Sequence, residues 1–123
     1  MKDSKVVLIT GGAGAIGLAT AKAFAEKGAN CLLIDINESN LKTALDELDP
    51  WHKACVLDVT AKDSAGTALE AAISNFGGID ILVSNAGTAH NGAMLELDDD
   101  VFRQSFEMNF FSHKNFVFWL QKC

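Results

Sequence analysis

Three glycines, Gly12, Gly14 and Gly17, follow directly on the apolar run Val6-Val7-Leu8-Ile9 and precede a segment with helical periodicity. Their spacing is GxGxxG. Such a loop permits a tight turn and lets backbone N–H groups approach a pyrophosphate, while the helix N-terminus adds its positive dipole end. In a chain with ten glycines the bland reading is a flexible turn, but a strand before and a helix after are the context that phosphate binding requires. Asp35 stands 18 residues beyond Gly17, at the end of the next apolar run. A carboxylate there can accept from both hydroxyls of an adenosine ribose and repels a 2′-phosphate. Gly12, Ala13, Ile36 and Asn37 supply no Arg or Lys for that phosphate. Asp35 and Ile36 are therefore candidate contacts on the adenosine side, and the pattern points to NAD over NADP. A solvated acid at a strand end is the competing reading of Asp35.

The elements that must carry these residues are legible as an alternation. Val6–Ile9 is a continuous β-branched-rich run, the mark of a strand buried on both faces. Ile16, Ala19, Thr20, Ala23 and Phe24 predict the buried stripe of a first helix closed by Gly28. Leu32–Ile34 predicts the second strand, and Leu41, Ala44, Leu45 and Leu48 a second helix. That helix must stop near Asp49, because the residue before Pro50 is pushed out of the helical region. Ala54–Leu57 predicts a third strand. Thr60 and Asp63 then resemble a capping box for a third helix with the stripe Ala65, Ala68, Leu69, Ala72, Ile73 and Phe76, ended by Gly77-Gly78. Ile79–Val83 predicts the fourth strand. After a polar loop, Asp98-Asp99-Asp100 place negative charge at the start of a fourth helix. The expectation is a single domain over residues 1–123, an α/β fold of the Rossmann-type doubly wound kind. Its parallel sheet has strand order 3-2-1-4, right-handed crossovers and the ligand at the carboxyl ends of strands 1 and 4.

Composition excludes several classes. Sixteen acidic against ten basic residues give a net charge of -6, which argues against nucleic acid and anionic membranes as partners. No stretch approaches the roughly 20 apolar residues of a membrane span, and the first apolar run ends too soon for a signal peptide. Cys31, Cys55 and Cys123 show no CxxC or Cys/His ligand spacing. They read as reduced core thiols of a cytoplasmic protein, with no metal site. His52, His90 and His113 lie far apart in polar stretches and are expected at the surface.

The ordered motifs resemble the short-chain dehydrogenase/reductase family. Thr10-Gly11-x-x-x-Ala15-Ile16-Gly17 is similar to its TGxxxGxG signature, Asp58-Val59 to its adenine-contacting pair, Asn85-Ala86-Gly87 to the end of its NNAG motif, and Asn109 to its helix-four asparagine. The match covers residues 5 to about 111. It implies cofactor contacts at Gly11, Gly12, Gly14, Ala15, Ile16, Gly17, Asp35, Ile36, Asp58, Val59, Asn85, Ala86 and Gly87. It also implies a catalytic role for Asn109 in holding an active-site water. Read from the residues alone, Asp58 is a strand-end acid, Asn85–Gly87 a turn, and Asn109 a polar group on an apolar stripe that is either a structural bridge or part of a site. The chain departs from the family at Ala15, which replaces a glycine, at Ser84, which replaces an asparagine, and at Ser112, which stands where a glycine is usual.

The family's reaction is hydride transfer between a nicotinamide and a carbon bearing a hydroxyl or carbonyl group. Its proton is moved by a tyrosine with a lysine four residues on, beside a serine that orients the substrate. This chain has no tyrosine, so no YxxxK is possible in it. The resemblance thus implies the NAD(H)-binding N-terminal half of an oxidoreductase, truncated before its catalytic half and with little or no turnover alone. Seven of the ten aromatic residues lie between Phe102 and Trp119, so the last turns of that helix have to be buried. The resemblance, in whose family this helix helps form a subunit interface, implies self-association through the helix near 98–120. Two other readings compete. One is a non-catalytic nucleotide-sensing or interaction module. The other is an S-adenosylmethionine methyltransferase, which Thr10-Gly11 and Asn85-Ala86-Gly87 disfavour.

Overall fold

The computed structural model describes residues 5–85 together with 113, 114, 116 and 117. The elements alternate as β1 (Val6–Thr10), α1 (Ala15–Glu26), β2 (Asn30–Asp35), α2 (Glu38–Asp46), β3 (Lys53–Val56), α3 (Ser64–Phe76) and β4 (Ile81–Val83). All strand pairs are parallel, and the order is β3-β2-β1-β4. This is the expected α/β topology, with β1 flanked by β2 and β4.

The pleat divides the core in two. Val7, Ile9, Cys31 and Leu33 point to the side covered by α1 and α2, where Leu41 and Ala44 close the layer. Leu8, Leu32 and Ile34 point to the other side and meet Ala65, Ala68 and Ala72 of α3 and Phe116. Burying each of these large aliphatic side chains contributes about 1.5–3 kcal/mol. Central strands with continuous apolar interiors, Val6–Ile9 and Cys31–Ile34, are what a sheet covered on both faces demands. Cys31 lies wholly inside, its Sγ donating to the Ala21 carbonyl at 3.6 Å. Burial pushes its thiol up to about 11, which keeps it protonated and inert.

The structure corrects the sequence reading at several elements. The stripe assigned to α1 is rotated: Ile16 is 72% exposed, while Gly17 and Ala21 are the buried residues. The reason is the seat of Gly17, whose bare Cα rests on the Gly11 backbone. That contact turns Ala21, Leu18 and Phe24 inward, and Ile16, Ala19 and Ala23 outward. Thr60 does not cap α3. Its N–H and hydroxyl both donate to Asp58 Oδ1, at 2.9 and 2.6 Å, which ties Thr60 into a local turn on the carboxylate two residues back. The helix begins instead at Ser64, after Asp63 in a left-handed conformation (φ 64°), and Ser64 Oγ donates to the Val59 carbonyl. On α3, Ile73 is exposed. Strand β4 starts at Ile81 because Asp80 is spent on anchoring: its carboxylate accepts from Val6 N at 2.8 Å.

His52 is buried, contrary to the surface position expected for it. The register that sets Leu32 beside Lys53 puts His52 next to Cys31, and its Nδ1 accepts the Cys31 N–H at 3.1 Å. Nε2 is buried with no partner among the described residues. Burial lowers the His52 pKa below its ordinary 6.5, with Asp49 opposing. Below that value the unfolded ring binds a proton that the folded ring resists. The stability His52 contributes is therefore full above about pH 6.5 and lost as the pH falls further. Thermal melts should show the chain losing stability between pH 7 and 5, and His52→Gln, which keeps an acceptor and cannot titrate, flattening that dependence. Equal slopes for the two proteins would count against this account.

Candidate functional site

The carboxyl ends of β1, β2 and β4 converge on the β1–α1 loop. Gly11 opens that loop with a positive φ of 66°, a conformation that costs glycine nothing. Gly12 donates its N–H to the Ile34 carbonyl at 3.0 Å and is packed so tightly on β2 that a Cβ there would lie 2.8 Å from Leu33 Cβ. Gly14 donates to the Gly11 carbonyl at 3.1 Å and serves as the N-cap of α1 without a side chain to fill that role. The first-turn amides of a helix have no intrahelical acceptor. With no side chain capping α1, its opening turn presents donors, and the positive dipole end, to a ligand. Ala15 and Ile16 begin the helix and are exposed, so the methyl group that replaces the family's glycine is accommodated.

Asp35 is the last residue of β2 and faces the same loop. Its Oδ2 accepts the Ala13 N–H at 3.1 Å, and its Oδ1 accepts the Asn37 N–H at 3.2 Å. One carboxylate thus ties the loop to the β2–α2 turn while keeping lone pairs for a diol. Ile36 beside it is exposed. On the α3 side, Asp58 is held by Thr60 and Val59 is buried. At the β4 end, Asn85 donates its backbone N–H to Thr10 Oγ1 at 2.9 Å and its side-chain amide to the Gly11 carbonyl at 3.4 Å. Ser84 Oγ is hydrogen-bonded to His113 Nδ1, so His113 is a half-buried bridge and no free surface residue. Sequence reasoning missed this pair because its members are 29 residues apart. Ala86, Gly87, Asn109 and His90, like most of the helix expected near 98–120, lie outside the described residues.

The structure therefore brings the glycine loop, Asp35 and Asn85 into direct hydrogen-bonded contact at one sheet edge, with Asp58 and Val59 following β3. The family model described as short chain dehydrogenase matches residues 5–120. The chain belongs to the short-chain dehydrogenase family. This short-chain dehydrogenase chain is 36% identical over 107 residues to galactitol 2-dehydrogenase of Agrobacterium fabrum, covering 87% of this chain and 42% of that protein. Among solved structures, 3-ketoacyl-(acyl-carrier-protein) reductase of Brucella melitensis, complexed with NADH, superimposes with a TM-score of 0.91 at 29% identity, over 98% of this chain and 50% of that one. L-Sorbose reductase of Gluconobacter frateurii, complexed with NADPH and L-sorbose, gives 0.85 at 31% identity, over 93% and 45%. The chain spans about half the length of the relatives it matches. Among the described residues no helix is long and apolar enough to cross a membrane.

Proposed function

We propose that this chain is the NAD(H)-binding portion of a short-chain dehydrogenase/reductase, with little or no turnover by itself. The observation that carries the reading is the 3.1 Å bond from the Ala13 N–H to Asp35 Oδ2. It sets a carboxylate at the rim of a glycine loop whose close backbone contacts leave no room for side chains at Gly12 and Gly17. A dinucleotide fits that cradle. The loop amides and the α1 N-terminus would hold the pyrophosphate, and Asp35 would accept from the adenosine ribose hydroxyls, with Ile36 beside it. Asp58 and Val59 would border the adenine. Asn85, with Ala86 and Gly87 next in sequence, would wall the crevice where the strand order reverses. The Brucella and Gluconobacter structures carry NADH and NADPH respectively. For this chain the acid at Asp35, with no Arg or Lys at Ala13, Ile36 or Asn37, selects NAD over NADP.

When bound, the cofactor supplies hydride transfer to or from a carbon bearing a hydroxyl or carbonyl group. The chain's own contribution is to bind and orient it, with Asn109 as the catalytic residue inherited from the family pattern. A tyrosine acid/base is absent from the sequence, and proton transfer to the reacting oxygen needs a group within hydrogen-bond reach. Free Cys31 and Cys55 fit a cytoplasmic location, and the aromatic segment after Phe102 fits self-association. Two assays on the same protein test the proposal. Added chain should shift and enhance NADH emission saturably, and NAD+ with a panel of secondary alcohols should give no absorbance increase at the NADH wavelength. Unchanged NADH emission would overturn the binding role, and steady turnover would overturn the assignment of little activity.

A further inference from the structure

The β4 end carries a connection that the dinucleotide site as described does not use. Ile81 and Val83 pack into the layer under α1 and α2, while Leu82 packs into the opposite layer with Phe116. The two-residue period of a strand then sends Ser84 to the Phe116 side. His113 precedes Phe116 by three residues, one helical turn, and so shares its face. Two independent periodicities meet at one contact, Ser84 Oγ with His113 Nδ1. Phe116 is fully buried beside it, so the helical turn that bears His113 is seated on the sheet.

What this contact holds is Asn85. Its N–H is bound to Thr10 Oγ1, its amide reaches the Gly11 carbonyl, and that same carbonyl accepts from Gly14 N and lies under Gly17. The hydrogen bond between His113 and Ser84 and the hydrogen bonds from Asn85 to Thr10 and Gly11 are joined by the Ser84–Asn85 peptide bond, giving one connected path to the glycine loop. The path crosses the gap between the carboxyl ends of β1 and β4, where a dinucleotide passes from its adenosine to its second nucleotide half. The adenosine half is served from the other side, by Asp35.

Resting on the dinucleotide reading above, we propose that Ser84 and His113 are positioning residues for the nicotinamide half of the crevice. By fixing the end of β4 against the helical residues His113 and Phe116 they hold Asn85 at the height the cofactor needs, without touching the adenosine half. The test compares NADH with AMP, which occupies the adenosine half alone, on the 123-residue chain and its Ser84→Ala, His113→Leu, double and Ser84→Thr variants. NADH affinity should fall about tenfold in either single variant, the size of one neutral hydrogen bond, with the blue shift of its emission reduced. AMP affinity should stay within about twofold. The double variant should be no weaker than the singles, because the two residues act as one unit, and Ser84→Thr should restore NADH binding by keeping the hydroxyl. Unchanged NADH affinity in Ser84→Ala, or equal losses of NADH and AMP, would overturn the proposal while leaving the dinucleotide reading intact. A parent chain that binds AMP but not NADH, or neither, would overturn both.

Discussion

Gly17→Ala should abolish measurable NADH binding and lower the melting temperature more than alanine at Gly14. A Cβ at Gly17 would lie 2.2 Å from the Gly11 oxygen, 2.9 Å from the Gly11 carbon and 3.0 Å from Gly12 Cα. All three are backbone atoms, so no side chain can swing aside. The loop or the helix must move as a body. Overpacking of this kind costs about 1–3 kcal/mol, a large fraction of the stability of a small domain. It also displaces the amides that would face a pyrophosphate, so binding suffers beyond the loss of stability. Gly14→Ala is the internal control, because its nearest neighbour outside the adjoining residues would be the Gly11 oxygen at an ordinary 3.5 Å. Thermal melts with parallel NADH titrations decide it. A Gly17→Ala protein that melts with the parent and binds NADH normally would mean that the α1 seat is misread.

Asp35→Ala should weaken NADH about a hundredfold without creating an NADPH-preferring protein. The carboxylate accepts two backbone N–H groups, from Ala13 and Asn37, which sets it at the loop rim where a ribose diol would donate to it. Hydrogen bonds to a charged group are worth about 1.5–3 kcal/mol each, and losing the ribose contacts alone reaches that hundredfold. Removal of the negative charge relieves repulsion of a 2′-phosphate. The same substitution releases the Ala13 amide and loosens the loop for either cofactor, and the neighbours Ile36 and Asn37 bring no positive charge. The two affinities should converge at a low value. Asp35→Asn, which keeps one acceptor oxygen, should fall between. A clean reversal to NADPH in Asp35→Ala would show that Asp35 acts only as a filter for charge and that its tie to Ala13 is incidental.

The sheet was readable because its central strands are continuous apolar runs with a glycine loop, a glycine-closed helix or a proline between them. Strand order followed from that alternation and from the position of the glycine loop. The α1 face was not readable from hydrophobicity. Ile16, Ala19 and Ala23 make the better stripe on paper, yet a single atom-sized vacancy at Gly17 decides which side sits down. Apolar periodicity measures what would gain from burial; backbone contact measures what can approach. Thr60 and Asp63 misled for a related reason: they have the residue types and spacing of a capping box, but Thr60 is held by Asp58 and the helix starts later, at Ser64. His52 was hidden by its place between the exposed residues Trp51 and Lys53 and became legible only through the β2–β3 register. In the site, Gly12, Gly17 and Asp35 were evident from type and spacing, whereas Ser84 with His113 joins two elements whose proximity only the fold supplies.

If this chain folds into a dinucleotide cradle that reads its cofactor through Asp35, its affinities for the two nicotinamide dinucleotides must differ. Calorimetric titration of the 123-residue protein with NADH and, in parallel, NADPH addresses it most directly. The account predicts saturable binding of one NADH per chain, preferred over NADPH by tenfold or more, about 1.4 kcal/mol. Equal affinities, a preference for NADPH, or no heat with either cofactor would contradict it.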